Sequence, residues 1–187
     1  MKRALILSLA LVAGVATVLV VGHVGMGQKK VIHARAQWER VYRTPLGLIA
    51  DADLIVEARH VSAELGRVVG DGEDATPFTN NTFVVDSMLK GEFNEEYLVV
   101  EQTGGALPDQ TILDIDDGGP YEPGTSYLLF LKNQGEGTYY VINHQARYRI
   151  DSALEGVDPT DDVVAQLHGL RLEDLREPVR RVARMLQ

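Results

Sequence analysis

Cysteine is absent from the 187 residues. Its absence excludes disulfides, thiolate zinc sites, a cysteine nucleophile and a lipidated N-terminal cysteine, and it leaves the redox compartment open. Aromatic residues are sparse at 6%. Those near the centre of the chain, Tyr127, Phe130, Tyr139, Tyr140 and Tyr148, have few basic neighbours beyond Lys132, Arg147 and Arg149, which argues against an oligonucleotide-stacking platform. Positive charge is also scarce. All 27 acids lie after Gln37, together with 13 of the 18 Lys and Arg, so residues 37–187 carry a formal charge of −14. The last 17 residues hold five arginines against three acids, which leaves residues 37–170 at −16. A body this acidic repels phosphate backbones, and no nucleic acid partner is expected. Two common catalytic motifs are missing as well: there is no HExxH, and Ser62, Ser87, Ser126 and Ser152 have no G-x-S-x-G context. An enzyme is not expected.

What is present begins with an apolar run. Lys2 and Arg3 precede eighteen uncharged residues, Ala4 to Val21, a length at the lower edge of a membrane span and above the usual signal-peptide core. The A-x-A sequence nearest that run, Ala34-Arg35-Ala36, lies about fifteen residues beyond it, too far for an ordinary cleavage site. The reading is an uncleaved signal anchor, with a cleaved signal peptide as the alternative. Residues 1–27 form this segment and 28–45 a juxtamembrane linker. The acidic domain is expected outside the cytoplasm, either on a single-pass anchor or secreted. Lys29, Lys30 and Arg35 nearly balance Lys2 and Arg3, so reversed topology stays open.

The body, residues 46–157, reads as strands. Thr44-Pro45 suits the cap and first turn of a short helix. Asp53 to Glu64 alternates as a first strand, with His60 on the inward face as a hydrogen-bonded residue. Thr79 to Lys90 is the second, with Phe83, Val85 and Leu89 inward and Asp86 and Lys90 outward; Tyr97 to Thr103 is the third. Tyr127 to Lys132 and Thr138 to Asn143 flank a glycine-containing turn and form a hairpin. Gln145 to Asp151 closes the set, with Tyr148 and Ile150 inward and Arg147 and Arg149 outward. The expected fold is mainly β, a small antiparallel barrel, since closure removes exposed edges. Residues 158–187 change period: a helix from Asp158-Pro159-Thr160 to Leu167 is followed by one from Leu172 to Leu186. The second has an apolar stripe at Leu172, Leu175, Val179, Val182 and Leu186, and Pro178 is expected to kink it or move its start downstream.

Four stretches, Ala52-Asp53-Leu54-Ile55-Val56, Phe83-Val84-Val85 through Leu89-Lys90-Gly91, the pair Gly104-Gly105, and Tyr121 to Leu131, carry a family resemblance. Together they resemble an exported bacterial version of the netrin or TIMP-like OB barrel, over about Leu46 to Asp151. The resemblance implies an OB-like barrel with a binding surface, and it rests on hydrophobic and turn positions, which speak to fold more than to function. Inhibitors of the TIMP type act through an N-terminal cysteine, so that mechanism does not carry over to this chain. A protease-inhibitor-like domain remains an alternative by fold analogy.

For ligands, the acidic stretch with Asp114, Asp116 and Asp117 is a weak Ca²⁺ candidate, because clustered carboxylates in a glycine-containing loop supply oxygen ligands. Its spacing misses the EF-hand pattern, and a solvated acidic loop is the plainer reading. A Ca²⁺-dependent envelope enzyme or adhesion module is the corresponding alternative. No other cofactor is expected. The binding loops are placed at Gly104 and Gly105 and at Asn133, Gly135 and Gly137, with an envelope or extracellular protein or glycan as partner. The expected function is an extracytoplasmic, membrane-tethered or secreted binding module.

Overall fold

The longest apolar run in any described strand, Tyr127 to Leu131, sits where the sheet is buried on both sides. The computed structural model describes residues 30–35, 40–115 and 118–186. The run Ala4–Val21 lies outside them; among the described residues no helix is long and apolar enough to cross a membrane. In chain order the elements are β1 (Val31–Ala34), α1 (Pro45–Asp51), β2 (Leu54–Val69), β3 (Thr76–Lys90), β4 (Leu98–Thr103), β5 (Gly105–Ala106) and β6 (Ile112–Ile115). They continue with β7 (Ser126–Gly135), β8 (Thr138–Val141), β9 (Arg147–Ile150), β10 (Leu154–Gly156), α2 (Asp162–Leu167) and α3 (Leu172–Met185). The chain is mainly β with C-terminal helices.

The main sheet runs β10-β9-β7-β2-β3-β4-β8, and β8 pairs back onto β7, so the sheet is partly closed. Not every pair is antiparallel, as the sequence had implied. β4 and β8 run parallel over Val99↔Thr138, Val100↔Tyr139 and Glu101↔Tyr140, because the reversal of the β7–β8 hairpin returns the chain in the direction of β4. A second, three-stranded sheet, β1-β6-β5, was not foreseen. Its strands are two to four residues long and partly exposed, too short to show an alternation.

Period-2 alternation sorts the core. On β7, Tyr127, Leu129 and Leu131 face the closed side of the sheet with Leu54, Val56, Phe83, Leu98 and Val100. Leu128 and Phe130 face the other way and pack under the helices with Leu48, Tyr148, Val163 and Val179. Double-sided burial explains why Tyr127 to Leu131 is continuously apolar. α3 covers its side with Leu172, Leu175, Val179 and Ala183, but Leu186, expected on the stripe, is 56% exposed beyond the helix end. The helix begins at Leu172 and runs through Pro178. Its Arg176 reaches Ser87 Oγ at 2.6 Å and Glu57 at 2.5 Å, tying the basic helix to the acidic sheet.

Thr44 caps α1 by accepting from the Gly47 amide at 3.3 Å, with Pro45 in the first turn. The other end of α1 corrects the outward placement of Lys90. The ammonium group donates to the carbonyls of Ile49 (2.9 Å), Ala50 (2.9 Å) and Ala52 (2.5 Å), which a helix C-terminus leaves unpaired. Replacing Lys90 by Met keeps the aliphatic stem and abandons those carbonyls. Lys90→Met should therefore destabilise the domain by about 1–3 kcal/mol in urea unfolding, with the slope unchanged.

Candidate binding cleft

Because β4 and β8 are parallel and paired only as far as Glu101↔Tyr140, the residues beyond that pair diverge. Gln102 and Thr103 continue along one side and Val141, Ile142 and Asn143 along the other, with the Ile142 amide turned back to Phe130 O at 3.3 Å. Between them opens a cleft of about 740 Å³, within the size range of small-ligand sites.

Its mouth is built on the outer face of the sheet. Arg67, near the end of β2, forks onto Glu101 with two contacts of 2.8 Å, and its guanidinium lies 4.0 Å from the centre of the Phe78 ring. Gln134 donates to the same carboxylate at 3.2 Å. The hydrogen bond from Arg67 is the main reason the Glu101 carboxyl stays below the usual range, against the opposing effect of burial. Tyr140 stands beside this group with 40% of its surface exposed.

At the opposite rim, Asp51 pairs with Arg40 (3.1 Å) and Lys132 (3.2 Å) and accepts a short hydrogen bond from the Tyr42 hydroxyl. Burial alone would raise the Asp51 pKa; the bonds from Tyr42 and Lys132 and the two positive charges outweigh it and leave it lowered. The segment bearing Arg40 and Tyr42 is held in place by Asn143, which donates to Arg40 O at 2.8 Å. Gln145 bonds Tyr42 through both its amide atoms (2.8 and 3.1 Å).

The floor holds Tyr121 and Arg147. Arg147, expected to point outward, is only 6% exposed. Its guanidinium donates to Gly119 O (2.7 Å) and Pro120 O (3.1 Å) and stacks 3.7 Å from the Tyr121 ring centre. Arg147 and Arg149 share one face of β9, opposite Tyr148; that face is covered at 147 by the chain at Gly119–Pro120 and open at 149, where Arg149 pairs with Glu122 at 3.2 Å. Behind Tyr121 lies an aromatic cluster with Phe83 (5.0 Å between centroids), Tyr127 (5.0 Å) and His60 (5.7 Å).

His60 is inward and 1% exposed, but it is not hydrogen-bonded as the sequence had implied. No described group meets hydrogen-bond geometry at either ring nitrogen. Burial lowers its pKa and outweighs the opposing influence of the Ser62 and Glu122 backbone and the Asn81 side chain; the nearby Arg147 charge adds the smallest part of the lowering.

The loops expected to bind divide. Gly104 and Gly105 turn the chain from β4 into β5 at φ +101° and +121°. Thr79 Oγ1 donates to Gly104 O at 2.7 Å and occupies the space a side chain at 105 would need, so the pair serves the backbone crossing. Asn133 accepts from the Gly135 amide at 2.7 Å, and Gly135 and Gly137 make the positive-φ turn of the hairpin. From that loop only Gln134 lines the cleft. Asp114 is half exposed and 3.0 Å from His33 Nδ1, its partner in the β1–β6 register. Asp116 and Asp117 lie outside the described residues, and among those described no three potential metal ligands converge.

One spacing escaped the sequence reading. Ser87-Met88-Leu89-Lys90 is an S-x-x-K sequence, the spacing of a serine hydrolase class. In the structure Ser87 Oγ meets Arg176 and the Lys90 ammonium is held on α1, so they do not form a nucleophile–base pair. Arg67, Phe78 and Gln102 carried no local signal; Tyr140 did, since the doublet Tyr139-Tyr140 in a strand must send one ring in and one out. No family model matches the chain, and no curated protein matches it with significant similarity.

A histidine held neutral in the fold but free to protonate when unfolded makes stability fall with acid. The loss begins near the ordinary histidine value of about 6.5 and continues down to the lowered native value, at no more than about 1.4 kcal/mol per pH unit. The carboxylates Asp51 and Glu101 act in a separate window, below about pH 4.5. Melting temperature should therefore drop between about pH 7 and pH 5 in the wild type, and His60→Phe should flatten that slope while keeping the aromatic packing.

Proposed function

We propose that the chain is an extracytoplasmic binding module, tethered to the membrane or released by its N-terminal apolar run, which holds its ligand in the cleft between β4 and β8. It has no catalytic activity of its own in this reading. The cleft carries the conclusion: it is the place where a partly closed sheet stops pairing and exposes an aromatic ring, amides and charges together. Both of its carboxylates are biased toward the ionised form, Asp51 by the Tyr42 hydroxyl and the Lys132 and Arg40 charges and Glu101 by Arg67, which suits recognition and makes them poor proton donors at neutral pH.

The barrel expected from the sequence belongs to the same proposal. The pairings β2–β3, β3–β4, β4–β8, β8–β7 and β7–β2 form a five-strand ring, and a five-stranded, partly open Greek-key barrel is the OB architecture. The netrin or TIMP-like reading draws support from α1 leading into Ala52-Asp53 and from the Lys90 contact that joins the L-K-G stretch to that helix. OB barrels present ligands to the face and loops around their second and third strands, here β3 and β4, which supply one wall of the cleft. An envelope or extracellular protein or glycan is the proposed partner.

Glycan and peptide arrays probed with the full chain, together with crosslinking in intact cells, test this reading. Tyr140→Ala should weaken capture of any specific partner by roughly tenfold, as loss of an aromatic anchor does. Leu186→Ala, at the far exposed helix end, should leave capture unchanged. Equal binding by both variants and the wild type would remove the cleft as the site.

A further inference from the structure

The cleft differs in charge from the protein around it. Asp51 and Glu101 are its acids, set against Arg35, Arg40, Arg67, Lys132 and Arg147, a formal balance of +3 in a chain of −9. Most of these charges are matched: Arg40 and Lys132 share Asp51, Lys132 also meets Asp53 at 3.1 Å, and Arg67 is forked onto Glu101. Two are not. Among the described residues no carboxylate lies within ion-pair distance of Arg147 on the floor or of Arg35 on the exposed rim.

Arg147 is the more telling of the two. A guanidinium has five donors in a rigid fork. Two carbonyls and a tyrosine face satisfy part of it, and the residue is 94% buried by the complement of its 6% exposure, yet it lines both the main cleft and a smaller cavity of about 250 Å³. Burying a cation without an anion is costly, and a bound anion would remove that cost. The surrounding acidic body repels long polyanions, and the volume suits a ligand of mono- or disaccharide size rather than a polymer in full.

We propose that the cleft is a site for a small anionic ligand whose carboxylate or phosphate group docks on Arg147 with help from Arg35, while the remainder lies against Tyr140. This rests on reading the cleft as a binding site and adds the charge of what it binds. A uronic acid unit and a phosphorylated unit share the chemistry that the guanidinium fork recognises.

Titration calorimetry of the full chain with glucuronate, inorganic phosphate and glucose separates these sources. Saturable binding of glucuronate or phosphate, absent with glucose and weakened by added salt, is expected. Glucuronate alone points to a carboxylate ligand, and phosphate alone to a phosphate ester. Arg147→Gln should weaken binding by about tenfold, the worth of a charge-assisted hydrogen bond. Arg35→Gln changes an exposed residue with little risk to folding and should weaken binding several-fold, whereas Arg180→Gln, the same charge change on α3, should not. Absence of binding by both anions, equal binding of glucose, or an equal effect of Arg180→Gln would overturn the inference. If a neutral partner is captured and lost with Tyr140→Ala, the binding reading stands while the anionic one falls. If Tyr140→Ala affects nothing, both fall.

Discussion

Five consecutive side chains of β7, Tyr127 to Leu131, alternate between the closed side of the sheet and the helix-covered side, and all five are buried. Each contributes roughly 1.5–3 kcal/mol through removal from water, but the larger consequence is geometric. A strand buried on both faces must be flanked on both edges, and β7 takes β2 on one side with β9 and β8 on the other. The closing pair, β7–β8, brings β8 alongside β4. Partial closure, the helical cover and the cleft all depend on that central strand.

The cleft is a by-product of how the closure ends. Three residue pairs join β4 to β8, and then each strand is drawn elsewhere: Gly104 N toward Pro77 O at 2.8 Å, Ile142 N toward Phe130 O. The gap is lined with groups from eight elements, α1, β2, β3, β4, β6, β7, β8 and β9, so its content is decided by topology rather than by local sequence. Ion pairs at its two ends, Arg67 with Glu101 and Asp51 with Arg40 and Lys132, hold the walls and leave the floor arginine facing the opening. The partner proposed for this protein follows from that arrangement of charge and aromatic surface.

Particular residues show where sequence reasoning reached and where it stopped. The hairpin at 126–141, the strands β2, β3 and β4 of the main sheet and the C-terminal stripe were legible because each is a local pattern: alternation at period two, a glycine turn, or apolar spacing at helical period. The edges of elements moved. β2 and β3 extend beyond the partly closed part of the sheet as an exposed ribbon to Val69 and Thr76, where burial no longer marks the strand. Lys90, His60 and Arg147 were each placed by alternation and then redefined by a distant partner, respectively the carbonyls of α1, an aromatic cage and the chain at Gly119–Pro120. Gly104, Gly105, Gly135 and Gly137 hold positive-φ positions of their turns, and their neighbour Gln134 lines the cleft.

By itself, then, the sequence determined the β-rich class, the helical C-terminus, the exclusion of all thiol chemistry and the acidity of the body, since composition and short-range periodicity express these directly. The tertiary structure decided the parallel β4–β8 pairing, the second small sheet, the inward turn of Arg147 and the cationic cleft. Each of those depends on residues between about thirty and one hundred positions apart. Contacts at that separation are selected by which buried surfaces find each other when the chain packs, and no local pattern records that choice.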